Sequence, residues 1–332
     1  MKANGWGEHR YIGIDGGGTK TTAIIGDEQG SILGIYFGDS ANVRARARED
    51  VENSLINLIQ KCLRDTDSQM RQVAGMTLAL AGAHHPTEKQ RMTEFLKSKF
   101  PGITISVHSD TMAAWAAGTW GEAGIVAIAG TGSVAYGRIP KSDIEARAGG
   151  WGHLLGDEGS GYDISRKALQ AIIRNHDRQE PPTSLTSNIL RQLSLNEPEA
   201  LVDWSYDPVR TRKQIAGLSV YVMEAASLGD TVALGIIEDA VSELCQLVHS
   251  VQTKLSPKQP LPVIAAGGLF NNHLFYKKFA NQLNDSATDC LRLEIPPAAG
   301  AYYMSLLQGV SSALIDTVCL GQTIQHQLCQ PH

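Results

Sequence analysis

One short pattern occurs twice in this chain and constrains its fold more than any other feature: an apolar strand, a glycine-rich turn and a second strand. The first copy covers residues 10–25, and the second covers residues 124–137. Because a strand follows the glycines in both copies, the pattern predicts a β-hairpin at each place. The repetition predicts two halves with similar α/β cores, joined near residues 118–123.

Hydrophobic periodicity predicts the remaining elements of the two halves. The expected strands cover residues 31–37, 73–80, 103–107 and 262–266, and the expected helices cover residues 51–63, 86–96, 111–118, 160–174, 231–254, 272–283 and 298–307. We therefore expect an N-terminal domain over residues 9–118, a C-terminal domain over residues 119–310 with a helical insertion near residues 175–230, and a C-terminal tail over residues 311–332.

The composition narrows the class of protein. Glycine accounts for 33 of the 332 residues, and this surplus costs backbone entropy unless the freedom of glycine is used. A net charge of −5 disfavours a nucleic-acid partner. No apolar run approaches the roughly 18 residues of a membrane span, and the first residues lack the apolar segment of a secretory signal. The five cysteines are scattered without a Cys-x-x-Cys pair, which predicts reduced thiols in a cytoplasmic protein.

The first glycine turn has the composition of a phosphate-binding loop. It consists of Asp15, Gly16, Gly17, Gly18, Thr19 and Lys20. Consecutive glycines let backbone N–H groups approach a phosphate, and Asp15 at the strand end suits a water-mediated contact with Mg²⁺. The Walker spacing is absent, and the dinucleotide-binding fingerprint needs a helix where this chain has a strand. The alternative interpretation is a hairpin whose glycines only turn the chain.

Two further glycine clusters extend this interpretation. The second turn consists of Gly130, Thr131, Gly132 and Ser133, and a third cluster, Gly267 and Gly268, lies between a strand and a helix. The second turn is a weak signal alone, but two equivalent turns facing each other across a cleft would hold a triphosphate from both sides. The third cluster would let a nucleoside lie against the backbone, although close packing of helix on strand also explains it.

Asp110 stands where a predicted strand ends and a predicted helix begins. This position is typical of a helix N-cap, which is the simplest interpretation. It also suits a catalytic base, because the helix dipole keeps a carboxylate ionised there. An ionised carboxylate can accept the proton of an attacking hydroxyl group during phosphoryl transfer.

Residues 149–161 include six glycines, and such a loop is costly to order unless it forms a site. Within it, Asp157 could hydrogen-bond the vicinal hydroxyls of a sugar, and Trp151 could form a wall of the pocket. We interpret His153 as structural, because nothing nearby completes a set of metal ligands. The same absence disfavours Asp157 and Glu158 as a metal-binding pair.

Four motifs follow one another along the chain: Asp-Gly-Gly-Gly-Thr-Lys-Thr, Ala-Gly-Thr-Gly-Ser, Gly-Gly-Trp-Gly-His-Leu-Leu-Gly-Asp-Glu-Gly-Ser-Gly and Ala-Ala-Gly-Gly-Leu-Phe. In their order and spacing they resemble the motifs of the N-acetylglucosamine kinases of the BadF/BadG/BcrA/BcrD ATPase family. The resemblance covers residues 10–310, and the segment 149–161 is its specific part. It implies an α/β fold of two ribonuclease H-like (actin-like ATPase) domains flanking a nucleotide cleft. It also implies ATP and Mg²⁺ as cofactors and a small-molecule amino sugar as substrate.

The same resemblance implies a role for each candidate residue. Asp15 would organise Mg²⁺ through water, and Asp110 would be the catalytic base. The residues that would hold ATP are Gly16, Gly17, Gly18, Thr19, Lys20, Gly130, Thr131, Gly132 and Ser133 at the phosphates, with Gly267 and Gly268 against the adenosine. The residues that would bind the sugar are Asn42, Asp110, Thr131, Gly150, Trp151 and Asp157.

Three arginines depart from the pattern of the family, which more often has neutral residues there. Arg44, Arg46 and Arg48 stand at alternate positions before the helix expected at residue 51. The simplest interpretation is a solvated basic stretch. The alternative hypothesis is that one of them binds an anionic substituent of the sugar, such as the lactyl group of N-acetylmuramic acid, because a planar guanidinium can bind a carboxylate bidentately.

The sequence thus predicts an ATP-dependent amino-sugar kinase that transfers the γ-phosphoryl group to the 6-hydroxyl of N-acetylglucosamine. Glucosamine and N-acetylmuramic acid are the alternative substrates, and a homodimer is one possible oligomeric state. Two alternatives belong to other classes of protein. An ATPase activator of a radical dehydratase would need an iron–sulfur cluster, and no two cysteines lie close in this sequence. A sugar-sensing regulator would need a clustered-cysteine zinc motif, which is also absent.

Overall fold

The structure, a computed structural model, describes residues 9–43, 46–284 and 288–329. Contacts between residues divide the chain into two units. The first contains the residues up to Glu122 together with those from Leu293 onward, and the second contains Ala123–Arg292.

The first unit contains a five-stranded sheet in the order β3-β2-β1-β4-β5. Its strands are β1 (Arg10–Gly16), β2 (Lys20–Asp27), β3 (Ile32–Asp39), β4 (Val73–Leu80) and β5 (Thr104–Ser109). The first three strands form an antiparallel meander, whereas β4 is parallel to β1 and β5 is parallel to β4. Its first helices are α1 (Arg48–Asp65), α2 (Pro86–Lys99) and α3 (Asp110–Thr119).

The second unit repeats this topology. Its sheet has the order β10-β9-β6-β7-β8 and consists of β6 (Gly124–Ala129), β7 (Ser133–Ile139), β8 (Ile144–Gly149), β9 (Val263–Ala266) and β10 (Cys290–Arg292). The helices are α4 (Gly161–His176), α5 (Ser184–Leu193), α6 (Ala200–Tyr206), α7 (Arg212–Ala216), α8 (Ser219–Ser227), α9 (Thr231–Leu255) and α10 (His273–Asn284). The repeat predicted from the two hairpins therefore extends to whole sheets.

Two elements of the second sheet were not predicted, and both lie at its edges. β8 is mostly exposed over its first residues, and β10 has only three residues. Neither offers the buried apolar run from which a strand is predicted.

The chain returns to the first unit earlier than the predicted boundary at residues 310/311. Helix α11 (Pro297–Leu306) lies against β1 and α3. An added Cβ at Gly13 would collide with the backbone of Tyr302, and one at Gly300 would collide with the backbone of Ala113. Because these two glycines permit such close packing, α11 belongs to the first unit.

The predicted C-terminal tail also contains a helix, α12 (Thr317–Leu328). Its residues Leu320 and Ile324 are buried in a hydrophobic cluster that includes Tyr11 and Ile24 of the first sheet. Ile12 and Ile14 belong to a separate cluster with residues of α1 and α2. Successive residues of β1 thus face different helices, as the alternation of a strand requires.

No single helix within the described residues is long and apolar enough to cross a membrane. One pair of helical segments, Arg212–Ser227 and Thr231–Leu255, reaches that length and composition together, but it is bent by 118°.

Candidate active site

Two acidic residues lie at one edge of the first sheet. The strands β1, β4 and β5 are parallel, so their carboxyl ends share an edge. Asp15, near the end of β1, is in register with Ala79 of β4, and β5 ends at Ser109 directly before Asp110. The topology therefore brings together the two carboxylates that the sequence analysis assigned to Mg²⁺ and to catalysis.

These two carboxylates interact electrostatically. Burial raises the pKa of the half-buried Asp15 to about 7, the negative charge of Asp110 contributes to this rise, and Lys20 opposes it. A cation beside Asp15 would relieve this unfavourable charge, and oxygen ligands are the ones that Mg²⁺ prefers. The pair therefore fits an Mg²⁺ ion. Among the described residues, no three His, Cys, Asp or Glu side chains are grouped to hold a metal ion by themselves.

Asp110 is the first residue of α3 and not its N-cap, so the simplest interpretation from the sequence is wrong by one position. Ser109 occupies the N-cap position, and its side chain makes no capping hydrogen bond. Asp110 Oδ1 accepts a hydrogen bond from the backbone N–H of Thr111 at 3.0 Å. Its carboxylate lies within the first turn, where the helix dipole stabilises negative charge.

The three glycines of the first turn have different surroundings. An added Cβ at Gly16 would lie 2.6 Å from Cδ2 of Leu80, so this glycine is needed for packing. At Gly18 the nearest atom would be Nδ2 of Asn42, at 3.9 Å, and Gly18 is exposed. The exposed Thr19 and Lys20 follow it. The tip of the turn thus leaves its backbone accessible to a ligand, as the phosphate-loop interpretation requires.

Asn42 is connected to this turn through Ser40. The Ser40 hydroxyl donates to the carbonyl oxygen of Gly17 at 3.1 Å and accepts from the backbone N–H of Asn42 at 3.4 Å. The structure therefore places Asn42 beside the first turn, although the two are separated by β2 and β3.

Two of the three arginines considered from the sequence have partners within the protein. Arg46 donates to the carbonyl oxygen of Ser40, and Arg48 pairs with Glu52 at 2.8 Å. Arg44 lies outside the described residues.

The second glycine turn is bonded to the segment 149–161. The backbone N–H of Gly161 donates to the carbonyl oxygen of Gly130 at 2.8 Å, and the Ser133 hydroxyl donates to that of Glu158 at 2.6 Å. The peptide N–H of Tyr162 also donates to the carbonyl oxygen of Thr131, at 3.4 Å. The structure thus joins two motifs that the sequence analysis treated separately.

The third glycine cluster lies next to the second turn. Gly267 has a φ of +100°, and an added Cβ would collide with the carbonyl oxygen of Ala129. An added Cβ at Gly268 would meet nothing within 4 Å. Close packing therefore explains Gly267, whereas the open space at Gly268 is what an approaching ligand needs.

Asp157, in the segment 149–161, is buried against the second glycine turn, with only 5% of its surface exposed. An added Cβ at Gly132 would lie 3.0 Å from its carboxylate, so the absence of a side chain at Gly132 makes room for Asp157. Burial raises the pKa of Asp157, whereas a hydrogen bond from the Ser133 backbone and the charge of Arg212 oppose the rise. Its φ of +64° is a strained conformation of the kind found at functional sites. A buried carboxylate whose negative charge is only weakly compensated by nearby donors and cations is suited to accept hydrogen bonds from ligand hydroxyls.

His153 contacts Arg212 and Tyr162. Its Nδ1 lies 3.3 Å from Arg212 Nη1, and its ring meets that of Tyr162 edge-on at 5.0 Å. Burial, together with the charge of Arg212, lowers its pKa. These contacts agree with the structural role expected for His153. They also identify Arg212 as a residue of the site that the sequence analysis missed, because no local motif marks it.

The remaining sugar-binding candidates, Gly150 and Trp151, begin this segment. Gly150 has a φ of +70°, and its carbonyl oxygen accepts from Arg147 Nη2 at 2.8 Å. Trp151 is 71% exposed, and Leu154 and Leu155 are also exposed. The segment thus presents an apolar surface beside the buried Asp157.

Two sheets of one topology, each with a glycine turn after its first strand, define the two-domain fold of the actin-like ATPases and sugar kinases. A solved structure from Chromobacterium violaceum, provisionally named an N-acetylglucosamine kinase, shares this fold with a TM-score of 0.75 at 24% identity, covering 90% of this chain and 99% of that one. Residues 12–302 match the BadF/BadG/BcrA/BcrD ATPase family, and the chain belongs to that family. The fold class and the family predicted from the motifs are thereby confirmed.

Two curated relatives are similar over most of their length. One from Clostridium acetobutylicum, named N-acetylmuramic acid/N-acetylglucosamine kinase, is 36% identical over 275 residues, which is 82% of this chain and 90% of the relative. One from Dictyostelium discoideum, named N-acetyl-D-glucosamine kinase, is 31% identical over 315 residues, which is 89% of this chain and 97% of the relative.

Proposed function

We propose that this protein is an ATP-dependent amino-sugar kinase that transfers the γ-phosphoryl group of ATP to the 6-hydroxyl of N-acetylglucosamine. The observation that carries the proposal is the pair of carboxylates, Asp15 and Asp110, at the carboxyl edge of a sheet in a member of an ATPase family. The names of the two curated relatives support an amino sugar as the phosphate acceptor.

Asp110 is the base in this proposal. Its position in the first turn of α3 favours the ionised carboxylate, which can accept a proton. The oxygen of the 6-hydroxyl forms a bond with the γ-phosphorus while the bond from that phosphorus to the bridging oxygen of ADP breaks, and the hydroxyl proton passes to Asp110. Positioning and charge stabilisation supply most of the acceleration in such transfers.

The nucleotide would be held mainly by backbone groups. The tip of the first turn, which is exposed from Gly18 to Lys20, would face the phosphates, and the second turn would contribute Gly130 to Ser133. Gly268, where the structure leaves open space, would lie against the adenosine. Asp15 would hold Mg²⁺ through water, and the bound ion would neutralise charge on the phosphates.

The sugar would be bound by Asp157, whose carboxylate accepts hydrogen bonds from ring hydroxyls. Gly132 and the backbone of Ser133 fix this carboxylate. Trp151 would cover the sugar ring as part of the apolar surface of the segment 149–161. Asn42, Thr131 and Gly150 complete the proposed set.

N-acetylmuramic acid is the second candidate substrate, because the Clostridium relative carries both sugars in its name. A coupled assay of ADP release with N-acetylglucosamine, N-acetylmuramic acid, glucosamine and glucose tests the proposal, with NMR of the product to locate the phosphate. We expect ADP release that depends on an N-acetylated amino sugar and a 6-phosphate product. A rate of ATP hydrolysis that does not change on addition of any of the four sugars would contradict the proposal. Iron bound to the purified protein would then support the alternative of an ATPase activator of a radical dehydratase.

A further inference from the structure

Arg212 lies beside the carboxylate to which the proposed function assigns the sugar hydroxyls. It is the first residue of α7, and its Nη1 is 3.8 Å from Oδ2 of Asp157 and 3.3 Å from Nδ1 of His153. An added Cβ at Gly152 would lie 4.0 Å from the same nitrogen. The guanidinium group therefore borders the segment 149–161 close to its buried aspartate.

The donors of Arg212 are only partly used. Both contacts involve Nη1, and 3.8 Å is too long for a hydrogen bond to Asp157. Within residues 9–43, 46–284 and 288–329, neither Nε nor Nη2 of Arg212 donates a hydrogen bond to the protein. The side chain is 45% exposed. Because a guanidinium presents its donors as a planar fork, this side of Arg212 can bind a carboxylate from a ligand.

Other arginines near the candidate site have closer partners. Arg46 donates to the carbonyl oxygen of Ser40, and Arg48 pairs with Glu52. Arg147 donates to the carbonyl oxygen of Gly150 at 2.8 Å. Arg212 is therefore a better candidate than Arg46 or Arg48 for binding an anionic substituent of the sugar.

We propose that Arg212 binds an anionic substituent of the sugar and thereby allows this protein to phosphorylate N-acetylmuramic acid as well as N-acetylglucosamine. The inference rests on the proposed function. N-acetylmuramic acid differs from N-acetylglucosamine by a lactyl ether, formed on the oxygen of one of the hydroxyl groups of the ring, and this lactyl group ends in a carboxylate. Next to the buried Asp157, this second negative charge needs a cation, which Arg212 supplies. N-acetylglucosamine is uncharged and has no such requirement.

The test is the ratio of kcat/KM for the two sugars in Arg212→Gln. We expect kcat/KM for N-acetylmuramic acid to fall about 10- to 100-fold, the effect of losing a charge-assisted hydrogen bond. For N-acetylglucosamine we expect a fall of about threefold, because Asp157 loses only a loosely paired neighbour. Lys213→Gln is the matched control, since it removes the same charge from the next, exposed residue. It should leave the ratio unchanged.

Arg212→Lys provides a second variant that retains the charge without the planar fork. It should recover part of the activity on N-acetylmuramic acid, and it replaces the glutamine variant if that one does not fold. An equal loss for both sugars would overturn the inference, because Arg212 would then only position Asp157. A wild-type protein that phosphorylates N-acetylglucosamine alone would also overturn it while leaving the proposed function intact. A wild-type protein inactive on both sugars would instead overturn the proposed function.

Discussion

The two sheets share one strand order but differ at the edge where their parallel strands end. In the first unit this edge carries two carboxyl groups, Asp15 near the end of β1 and Asp110 in the first turn of α3. In the second sheet, β6 ends in Ala129 and contains no acidic residue, and Gly267 follows β9. The acidic residue of the candidate site in the second unit, Asp157, comes instead from the loop after β8 and packs on Gly132. The same topology thus places carboxyl groups at the ends of its parallel strands in the first unit and mainly backbone groups there in the second.

This difference suggests separate roles for the two edges, catalysis at the first and substrate binding at the second. The carboxylates of the first edge repel each other, which contributes to the raised pKa of Asp15 and suits groups that meet a proton and a cation. The second edge has small residues, so a ligand can approach its backbone. Asp157 is fixed by a hydrogen bond from the Ser133 backbone, which suits a binding role. We therefore expect changes in the first unit to affect turnover and changes in the second to affect substrate affinity.

The largest effect is expected for Asp110→Asn, which retains the shape of the side chain and removes the proton acceptor. The kcat for sugar phosphorylation should fall by about 10² to 10⁴, the usual contribution of a positioned base. Binding of ATP, measured by calorimetry, should persist. Asp50→Asn is the matched control, because Asp50 occupies the first turn of α1 and is exposed. Near-normal turnover of the Asp110 variant would show that Asp110 is not the catalytic base.

Asp157→Asn should have a smaller effect and a different kinetic signature. Losing hydrogen bonds to a charged group should raise KM for the sugar about 10- to 100-fold, with a smaller change in kcat. Steady-state kinetics with varied sugar at saturating ATP measures both constants. Glu158→Gln, at the exposed neighbour, is the control and should behave like the wild type. A decrease in kcat with an unchanged KM would contradict the expectation that the second unit mainly determines substrate affinity.

Gly267 and Gly268 test whether the second edge depends on space or on conformation. Gly267→Ala should cost about 1–3 kcal/mol of unfolding free energy, because alanine at a φ of +100° is strained and its Cβ would collide with Ala129. Gly268→Ala should change the unfolding free energy by less than about 0.5 kcal/mol but weaken ATP binding. Urea denaturation and calorimetry measure the two quantities. Equal losses of stability would show that packing explains both glycines.

The repeated hairpins were predictable because glycine runs bounded by apolar strands are a local signal. The edge strands β8 and β10 were not, since an exposed or very short strand lacks that signal. Helix α11 was predicted as a helix over residues 298–307, but its membership in the first unit depends on the contacts of Gly13 and Gly300. Such contacts join distant parts of the chain, and periodicity does not encode them.

The candidate site could likewise be predicted from the sequence only in part. Asp110 could be selected because the junction between a strand and a helix is visible in the sequence, and Asp157 because its glycine-rich surroundings are unusual. Arg212 could not, because its relation to Asp157 depends on where α7 folds. The raised pKa of Asp15 likewise requires the parallel pairing that brings Asp110 to the same edge.

The smallest effect concerns the dependence of stability on pH in the absence of Mg²⁺. The folded protein binds the proton of Asp15 with a pKa of about 7, whereas an unfolded aspartate has a pKa of about 4. The folded state therefore holds this proton more tightly, and the resulting stabilisation is complete below pH of about 4 and is lost as the pH rises through 7. Asp15→Asn has no such proton to lose.

Relative to the wild type, Asp15→Asn should gain on the order of 1 kcal/mol of unfolding free energy between pH 4.5 and pH 8, because only the wild type must release the proton that burial of Asp15 favours. Urea denaturation of both proteins in EDTA measures this difference, in which the titration of all other groups cancels. Mg²⁺ with ATP should reduce it, because a cation favours the ionised carboxylate. A difference that does not vary with pH would mean that the first edge carries no electrostatic strain, and the contrast with the second edge would then be one of shape alone.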